Sequence, residues 1–480
     1  MTKPKFRCLA IASILIGTIS SPSYAAPLTF PEAWQILQEN NNSLAAQQAN
    51  VERYQHLQNA TGSLNLPSVT LGANYTHLDS DVTINGEQFA DSLSGVPSIG
   101  LPVPPQIISA LGGITSTITE QDIFSSSIRA VWPIFTGGRI TAAQNAAEGK
   151  SEEAQSQLLM EKQARYEDLS KYYFSVILAE DVVRTRQAVE TGLTQHRDFA
   201  IKLEQQGQIA RVERLQADAS LDKAIVERTK AQNDLKIAQL ALTQILGQNE
   251  SVEPSEQLFI NKNLPHMDVF IDQTLMTYPG LKILDAKEKQ ASSLIKAEKG
   301  KYYPEVYLYG DYSLYEDDSL ASEMKPDWLV GIGVNVPLID TSGRSDKVAA
   351  AHSAVSQVQF LKSQAKQDLT VLVQKTYLEA NQAIEEVQGL NSSLSLAQEN
   401  LFLRKKAFTQ GLSNSLEVVD AELYLASIKT QQSAARFKYL ISLNKLLALT
   451  SEMNAYSSYL TSSVTSDFDS KTDTASQSKG

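Results

Sequence analysis

The sequence offers few residues whose type and spacing could support catalysis. No phosphate-binding glycine loop, nucleophile elbow or zinc-helix motif is present. Arg139 and Arg344 each follow a glycine, and we interpret them as surface residues at helix starts rather than as anion ligands. The five histidines lie far apart, without metal-ligand spacing: His56, His77, His196, His266 and His352. The sequence therefore predicts no enzyme, no cofactor and no metal centre.

The first 25 residues have the pattern of a secretory signal. A basic start precedes the short apolar run "CLAIASILIGTI", and "SPSYA" ends in a small-x-small motif before Ala26. The run is shorter than the roughly 20 residues that a membrane-spanning helix needs. Cleavage after Ala25 would remove Cys8, the only cysteine, and would take the formal net charge from −12 to −15. Such a charge argues against nucleic-acid binding, which needs a basic surface.

The chain contains an internal repeat that includes a strand-to-helix corner. "VWPIFTGGR" at 131–139 returns as "VNVPLIDTSGR" at 334–344, an offset of 204 from Pro133 to Pro337. Upstream, "LNLPSVTLGANYTHL" resembles "KYYPEVYLYGDYSLY" with an offset of 237. The offset changes because the first repeat has 33 more residues between its prolines, rich in Pro, Gly and Ser. We expect these residues to enlarge a loop at about 79–122.

Each repeat carries two segments of strand character. Val69, Leu71, Ala73 and Tyr75 alternate along the first, and "FSSSIRAVWPIF" and "DWLVGIGVNVPLI" alternate in part. Trp132 and Trp328 lie near strand ends, as interfacial aromatic residues do. Periodicity alone leaves two interpretations open: membrane strands, or two hairpins of a soluble sheet with one dry face.

Long helices follow each corner. The helical pattern runs from Arg139 to about Gln206 and from Arg344 to about Gln410, or about 100 Å each at 1.5 Å per residue. Heptad seams typical of coiled coils follow the second of them and both return helices. The seam residues are Val373, Ala380, Val387, Leu394, Leu401 and Phe408; Leu369, Thr376, Ala383, Leu390 and Ala397; Ala217, Ala224, Ala231, Ala238 and Ile245, with Leu221, Leu235 and Leu242; and Leu412, Val419, Ala426, Ser433, Leu440 and Leu447.

Four strands are too few to close a membrane barrel, since known barrels begin at eight and lipid does not tolerate an open edge. If the strands cross a membrane, several chains must share one barrel. Three chains would give twelve strands, continued by a hollow cylinder of helices.

The order and spacing of these segments resemble the TolC-type outer-membrane efflux and secretion channels. The resemblance covers roughly residues 27–452 and rests on the duplication, both corners, "FPEAWQILQENNNSL" and the segment that begins "LEVVDAELYLASIKT". It implies an α-helical and transmembrane β-barrel fold: a homotrimer with four strands per chain in a twelve-stranded barrel, continuing into a periplasmic α-helical barrel. An equatorial collar would draw on residues around 27–43 and 248–280 and on the C-terminal segment.

The resemblance also implies a gate at the helical ends. Matched on the turn glycine, the residues of the pore constriction are Glu417 and Asp420, with Glu213 in the first repeat. Carboxylates around a narrow axis favour cations. Glu417 could instead complete a capping box with Asn414. Because Ser413 replaces the basic residue of the family prototype, we expect Arg211 and Arg214 to latch the gate.

The two helical turns are the expected docking sites for a periplasmic adaptor protein. They comprise Gly207, Gln208 and Ile209, and Gly411, Leu412 and Ser413, and both glycines sit where a tight reversal favours positive φ. The resemblance implies further partners: an inner-membrane pump of the ABC or RND type, and outer-membrane lipid.

The predicted organisation is a signal at 1–25, a first repeat at 26–247, an equatorial linker at 248–280, a second repeat at 281–452 and a disordered tail at 453–480. The predicted function is a passive exit duct for tripartite efflux or type I secretion. A soluble periplasmic scaffold or adaptor, and a passive porin, are the alternatives. The loop at 79–122 is expected at the extracellular end, either as an ordinary variable loop or narrowing the outer mouth.

Overall fold

The computed structural model describes residues 27–85, 115–317, 319–339 and 341–463. The predicted signal and the end of the predicted tail, 464–480, lie outside these ranges. The helices are α1 Phe30–Asn40, α2 Asn42–Gly62, α3 Arg139–Gln205, α4 Arg211–Ile245, α5 Met267–Thr277, α6 Pro279–Gly300, α7 Leu320–Glu323, α8 Arg344–Thr409 and α9 Ser415–Leu449. The strands are β1 Ser68–His77, β2 Val82–Asn85, β3 Thr115–Thr119, β4 Asp122–Phe135, β5 Glu305–Glu316 and β6 Trp328–Asn335.

The described chain forms two compact units, and each takes segments from both predicted repeats. The strand unit comprises 46–161 and 277–369, and the helical unit comprises 27–45, 162–276 and 370–463 within the described ranges. The long helices α3 and α8 have 67 and 66 residues, and the return helices α4 and α9 have 35 each. The two helix pairs thus match closely in length.

The strand unit is built on a four-stranded sheet in the order β1-β4-β5-β6. All three pairings are antiparallel, with Leu71 opposite Ile128, Ile128 opposite Tyr312, and Tyr312 opposite Trp328. Of the loop predicted at 79–122, residues 86–114 lie outside the described ranges. In its described parts, β2 and β3 form a separate antiparallel pair. Their β-branched residues favour strand structure.

Each strand-to-helix corner uses a glycine in the left-handed region. Gly137 has φ 63° and Gly343 has φ 67°. A Cβ on Gly137 would overlap the carbonyl oxygen of Gly300 at the end of α6, so only glycine allows this approach. Arg139 forms an ion pair with Glu305 at the start of β5. Arg344 donates to the carbonyl oxygen of Lys301 at 3.1 Å. Each arginine therefore links its strand-to-helix corner to the segment between α6 and β5.

The helical unit has several core clusters, and the predicted heptad seams are largely buried. Val373, Ala380 and Ala397 have no exposed surface, and Leu242 and Leu447 are equally buried on the return helices. Leu412 is an exception, since it is 78% exposed. It lies in the turn before α9 begins at Ser415, so it cannot join the seam of that helix.

An aromatic cluster joins the first and last described segments of the helical unit. Phe30 lies 4.8 Å from the ring of Tyr456, which is 1% exposed. Residues 453–463 form a 3₁₀ turn followed by a helix. The prediction of a disordered tail is therefore wrong for 453–463, because the buried Tyr456 outweighs the polar composition of this stretch.

The predicted equatorial linker at 248–280 is extended before it becomes helical. Pro254 forms a parallel bridge with Leu28, and Glu256 accepts a hydrogen bond from the backbone N–H of Phe30 at 3.0 Å. Burial raises the pKa of the Glu256 carboxyl. Helix α5 and the first turn of α6 complete the range.

Candidate functional site

The two helix reversals have the same backbone conformation. Gly207 has φ 72° and Gly411 has φ 71°, as predicted for both turns. The N–H of Gln208 donates to the carbonyl oxygen of Leu203, and that of Leu412 to Ala407, both at 2.9 Å. These six-to-one bonds are Schellman motifs, which satisfy the last carbonyl groups of α3 and α8.

The six predicted docking residues differ in exposure. The first two residues of each turn are exposed, whereas the third residues, Ile209 and Ser413, are half-buried. Ile209 packs on a cluster that includes Ala217 and Phe408. The exposed members are Gly207, Gln208, Gly411 and Leu412.

Glu417 lies in the first turn of α9, and its carboxylate accepts hydrogen bonds from two side chains. Its Oε2 accepts hydrogen bonds from Arg404 at 2.6 Å and from the Ser413 hydroxyl at 2.5 Å. The Ser413 hydroxyl, and then the Arg404 charge, hold the pKa of this carboxyl below its usual value. The Asn414 side chain caps α9 by accepting from the N–H of Glu417 at 2.9 Å. The Glu417 side chain does not return that bond, so the capping box is only half formed.

Glu213 connects the two repeats. Its Oε2 accepts a hydrogen bond from the backbone N–H of Ser415, the first residue of α9, at 2.7 Å. A carboxylate at a helix N-terminus satisfies an otherwise unpaired donor and interacts favourably with the helix dipole. Glu213 therefore caps the return helix of the other repeat.

Of the two predicted latch arginines, Arg214 forms ion pairs within its own repeat. Arg214 pairs with Glu204 at 2.6 Å and with Asp218 at 2.5 Å, while Arg211 is exposed. The basic residue that contacts a predicted constriction acid is Arg404 instead. This contact was not predicted, although Arg404 and Glu417 stand seven residues before and six after Gly411, where antiparallel helices face each other.

Asp420 is exposed on α9 and does not share the contacts of Glu417. It lines a groove of about 480 Å³ between α3, α4 and α9. The floor of the groove is apolar, with Val189, Leu193 and Val419, and charged side chains stand around it, including Arg186 and Lys223. The structure thus brings Glu417 and Glu213 to the start of α9, and places Asp420 on a separate groove.

A buried polar pair lies behind the start of α9. His196 is 6% exposed, and its Nε2 lies 2.7 Å from the hydroxyl of Ser415, so Ser415 contacts both His196 and Glu213. Burial, and secondarily the charge of Lys405, lowers the pKa of His196 to about 4. Lys405 itself lies 2.8 Å from the buried carboxylate of Glu422. No role was predicted for His196, because its partner Ser415 lies 219 residues away in the chain.

The four-stranded sheet has one face that is apolar across every strand. The register places Leu71, Ile128 and Ile332 on this face, and large side chains on it are exposed, up to 73% for Val330. A contiguous exposed apolar surface of this size is unusual for a protein in water. The apolar members of this face are Val69, Leu71, Ala73, Tyr75, Phe124, Ile128, Ala130, Trp132, Val306, Leu308, Tyr312, Trp328, Val330, Ile332 and Val334, and the register places Ser126 and Gly310 on the same face.

The opposite face of the sheet is polar. Arg129 pairs with Asp311 across β4 and β5 at 3.0 Å. Tyr307 and Tyr309 lie over Gly333 and Gly331 of the neighbouring strand, where any Cβ would meet their rings. Aromatic residues opposite glycines commonly stabilise such strand pairs. The two faces therefore differ as those of a strand between lipid and water do.

The described ranges contain neither a cluster of metal-ligating side chains nor a helix that could span a membrane. Within these ranges, no three metal-ligating side chains lie close enough together to hold an ion. None of the helices described here is long and apolar enough to cross a membrane.

The chain is similar to proteins of a known family. The family model for outer membrane efflux proteins matches residues 33–248 and 270–452. The match covers well over half of the chain, so the protein belongs to the outer membrane efflux protein family.

Individual relatives are similar over nearly their whole length. The outer membrane protein TolC of Vibrio cholerae is 21% identical over 449 residues, covering 90% of this chain and 92% of that protein. The outer-membrane channel OprN superposes with a TM-score of 0.72 at 15% identity, covering 88% of this chain and 89% of that one. The open state of the Neisseria gonorrhoeae MtrE channel gives 0.69 at 18% identity, covering 94% and 98%. These channels share the fold of this chain.

Proposed function

We propose that three copies of this chain form an outer-membrane exit duct for tripartite efflux or type I secretion. Each copy contributes four strands to a twelve-stranded barrel, and the helices of the three copies continue the duct on the periplasmic side. The duct is passive, and an inner-membrane pump of the ABC or RND type drives transport through a periplasmic adaptor. Membership of the efflux family supports this proposal.

The exposed apolar face of the sheet is the observation that carries the proposal. Leu71, Val330 and Ile332 are 65–73% exposed, which in water would cost free energy in proportion to their area. Lipid removes that cost, but lipid does not tolerate the unpaired edges of β1 and β6. Strands from identical neighbours would satisfy both conditions.

We assign the closed state to contacts at the start of α9. Glu213 holds the N–H of Ser415, and Arg404 holds Glu417 across the turn. In a trimer, three copies of Glu417 and Asp420 would place six carboxylates near the periplasmic ends of the helices. Such a ring favours cations and disfavours anions. Opening then requires that the Glu213–Ser415 contact be released.

The exposed turn residues are the proposed adaptor-docking points. Gly207, Gln208, Gly411 and Leu412 leave backbone and one leucine accessible, and the two turns have the same geometry. Matched turns would allow one adaptor surface to bind both. The half-buried Ile209 and Ser413 would support the turns from within.

The soluble-scaffold alternative is separated from the duct by fractionation. A duct is expected in the outer-membrane fraction, as a trimer that dissociates on gels only after heating. Recovery as a monomer in the periplasmic fraction, without detergent, would contradict the proposal.

Resting conductance in planar bilayers separates a gated duct, which admits little current, from a passive porin, which conducts constantly. Deleting the gene and testing both drug sensitivity and protein secretion would identify the cargo class.

A further inference from the structure

The contact between α3 and the start of α9 is centred on a buried histidine. His196 of α3 is 6% exposed, and its Nε2 lies 2.7 Å from the hydroxyl of Ser415, the first residue of α9. The centre of its ring lies 4.5 Å from that of Phe408, near the end of α8. His196 therefore links the first repeat to both long helices of the second repeat, at the end that carries the reversals.

The same junction continues one turn further along α3. Ala200 has no exposed surface, and it belongs to a cluster with Ala217 of α4, Phe408 of α8 and Val418 of α9. Four helices thus meet within about one helical turn of His196. The imidazole becomes fully hydrated only if α3 moves away from α8 and α9.

A buried ion pair lies beside His196. Lys405 of α8 lies 2.8 Å from the carboxylate of Glu422 on α9, which is 7% exposed. That carboxylate packs on the backbone of Gly192, one helical turn before His196, where any Cβ would overlap it. Because Lys405 balances the charge of Glu422, this carboxylate provides little stabilisation for a protonated imidazole.

Other charged groups at the junction also have partners. On α3, Arg197 pairs with the neighbouring Asp198 at 2.9 Å. On α4, the carboxylate of Glu213 accepts the backbone N–H of the first residue of α9. A proton on His196 would thus place a second cation near Lys405, in a position with little access to water. Buried charges without a partner are strongly disfavoured.

A small cavity gives protons a route to the ring. It has a volume of about 170 Å³, lies between α3 and α8, and includes His196 in its wall. The cavity is large enough for water, and Gln195, Lys405 and Thr409 supply polar groups around it. The imidazole can therefore be protonated from this side before the helices separate.

We propose that His196 is a proton-sensitive contact of the gate: protonation of its imidazole separates α3 from the start of α9 and favours the open duct. Separation gives the imidazolium access to water and increases its distance from Lys405. The same movement draws Ser415 away from Glu213, which is the contact assigned above to the closed state. The proposal rests on the proposed function and names a regulator of that gate.

The size of the effect follows from the linkage between proton binding and opening. Burial, and secondarily the charge of Lys405, lowers the pKa of His196 to about 4 in the closed arrangement, against the usual histidine value of 6.5. An imidazole in water binds the proton more tightly, so acid favours the arrangement in which the ring is hydrated. Between pH 7 and pH 5, the equilibrium between closed and open should shift towards open by about 20-fold per chain.

Resting conductance in planar bilayers tests the proposal. The full-length channel is recorded with the side of the helix reversals at pH 7 and then at pH 5, and the two conductances are compared as a ratio within each variant. His196→Gln retains a hydrogen-bonding side chain near Ser415 but cannot be protonated. Carboxylates at the constriction are present in both proteins, so their titration contributes equally to both ratios.

The native channel should conduct several-fold more at pH 5 than at pH 7, and this rise should be lost in His196→Gln. The exposed His266→Gln is the matched control and should keep the native ratio. Equal ratios in the native protein and in His196→Gln would overturn the proposal.

Thiol labelling tests the junction without relying on pore formation. The sequence has only Cys8, within the predicted signal, so Ala200→Cys would give the mature chain a single thiol at the buried junction. The labelling rate of detergent-solubilised protein is divided by that of Asp222→Cys, an exposed position on α4, because thiol reactivity itself depends on pH. This normalised rate should rise several-fold from pH 7 to pH 5, and adding His196→Gln should abolish the rise. No rise, or an equal rise with His196→Gln, would overturn the proposal.

The two measurements separate the failure of this proposal from the failure of the proposed function. Channels that conduct, but respond to pH equally with and without His196, would overturn the role of His196 and leave the duct intact. Protein that forms no pore at either pH would contradict the duct, and labelling would then decide whether protonation of His196 opens the junction.

Discussion

The carboxylate of Glu213 caps a helix that begins 202 residues later in the chain, accepting the N–H of Ser415 at 2.7 Å. This bond ties the first turn of α4 to the first turn of α9. Ser415 is completely buried and its hydroxyl contacts His196, so the bond lies at the edge of a packed polar cluster. The first turns of the two return helices are therefore linked directly by this hydrogen bond.

Replacing Glu213 by Leu should destabilise the contact between the first turns of α4 and α9. The change removes a charge-assisted hydrogen bond, worth about 1.5–3 kcal/mol when buried and less at this half-buried position. We expect a resting conductance in planar bilayers several-fold above that of the native channel. Asp222→Leu on the exposed side of α4 is the matched control. Equal conductance of native and Glu213→Leu channels would show that this bond does not hold the closed state.

Neutralising Glu417 and Asp420 together, as Gln and Asn, should reduce cation selectivity, because the proposed carboxylate ring would lose its charge. The reversal potential in a salt gradient measures this. Replacing Glu399, an exposed acid of α8 away from the turn, by Gln is the control. Unchanged selectivity in the double variant would remove both residues from the constriction.

The Arg404–Glu417 contact should persist in moderate acid. The pKa of Glu417 lies below its ordinary value of 4.5, so the stability from its ionised form is complete above that value and is lost as pH falls through the lowered pKa. The protection that Arg404 adds at the start of α9, measured by hydrogen exchange as the difference between the native protein and an Arg404→Gln variant, should be the same at pH 7 and pH 5. An Arg404→Gln variant should lose this protection, whereas Lys375→Gln should not. Equal protection in Arg404→Gln would show that the ion pair does not stabilise the turn.

His196 should make the helical unit less stable in acid. The folded pKa of His196 is about 4, below the usual histidine value of 6.5, so the unfolded chain binds more protons between these values and stability falls as pH falls from 6.5 to 4. The loss below pH 4 is limited to about 3 kcal/mol, the free energy that corresponds to this difference in pKa. Thermal unfolding at pH 7 and pH 5 should show the loss in the native protein and a smaller one in His196→Gln. The exposed His266→Gln is the control, and equal losses in all three proteins would exclude His196 as the source.

Charge at the second turn should impair adaptor docking. Asp and Asn both tolerate the left-handed conformation that Gly411 adopts, so Gly411→Asp and Gly411→Asn differ mainly in charge. Pump-dependent drug resistance should fall in the Asp variant and be largely kept in the Asn variant, with equal trimer yield on gels. Full resistance with Asp would argue against docking at this turn.

Local patterns predicted the elements of this fold well. The heptad positions of α8 and the turn glycines at 207 and 411 depend on residues within one or two helical turns, and both features are present. Contacts between distant segments were harder to predict. Arg404 and His196 were missed because their partners meet them only after the helices pack, and Tyr456 was misjudged because a polar segment can be ordered by one buried ring.

Gly137 and Gly300 lie so close together that α3 cannot change its direction relative to β4 at this corner. Arg139 adds a charged anchor on Glu305, so the start of the helix and the first residue of β5 behave as one rigid piece. Any twisting of α3 must therefore be spread over its successive turns as small changes in winding. A single bulky substitution at Gly137 would separate it from Gly300 and would allow α3 to change its angle to β4 at this corner.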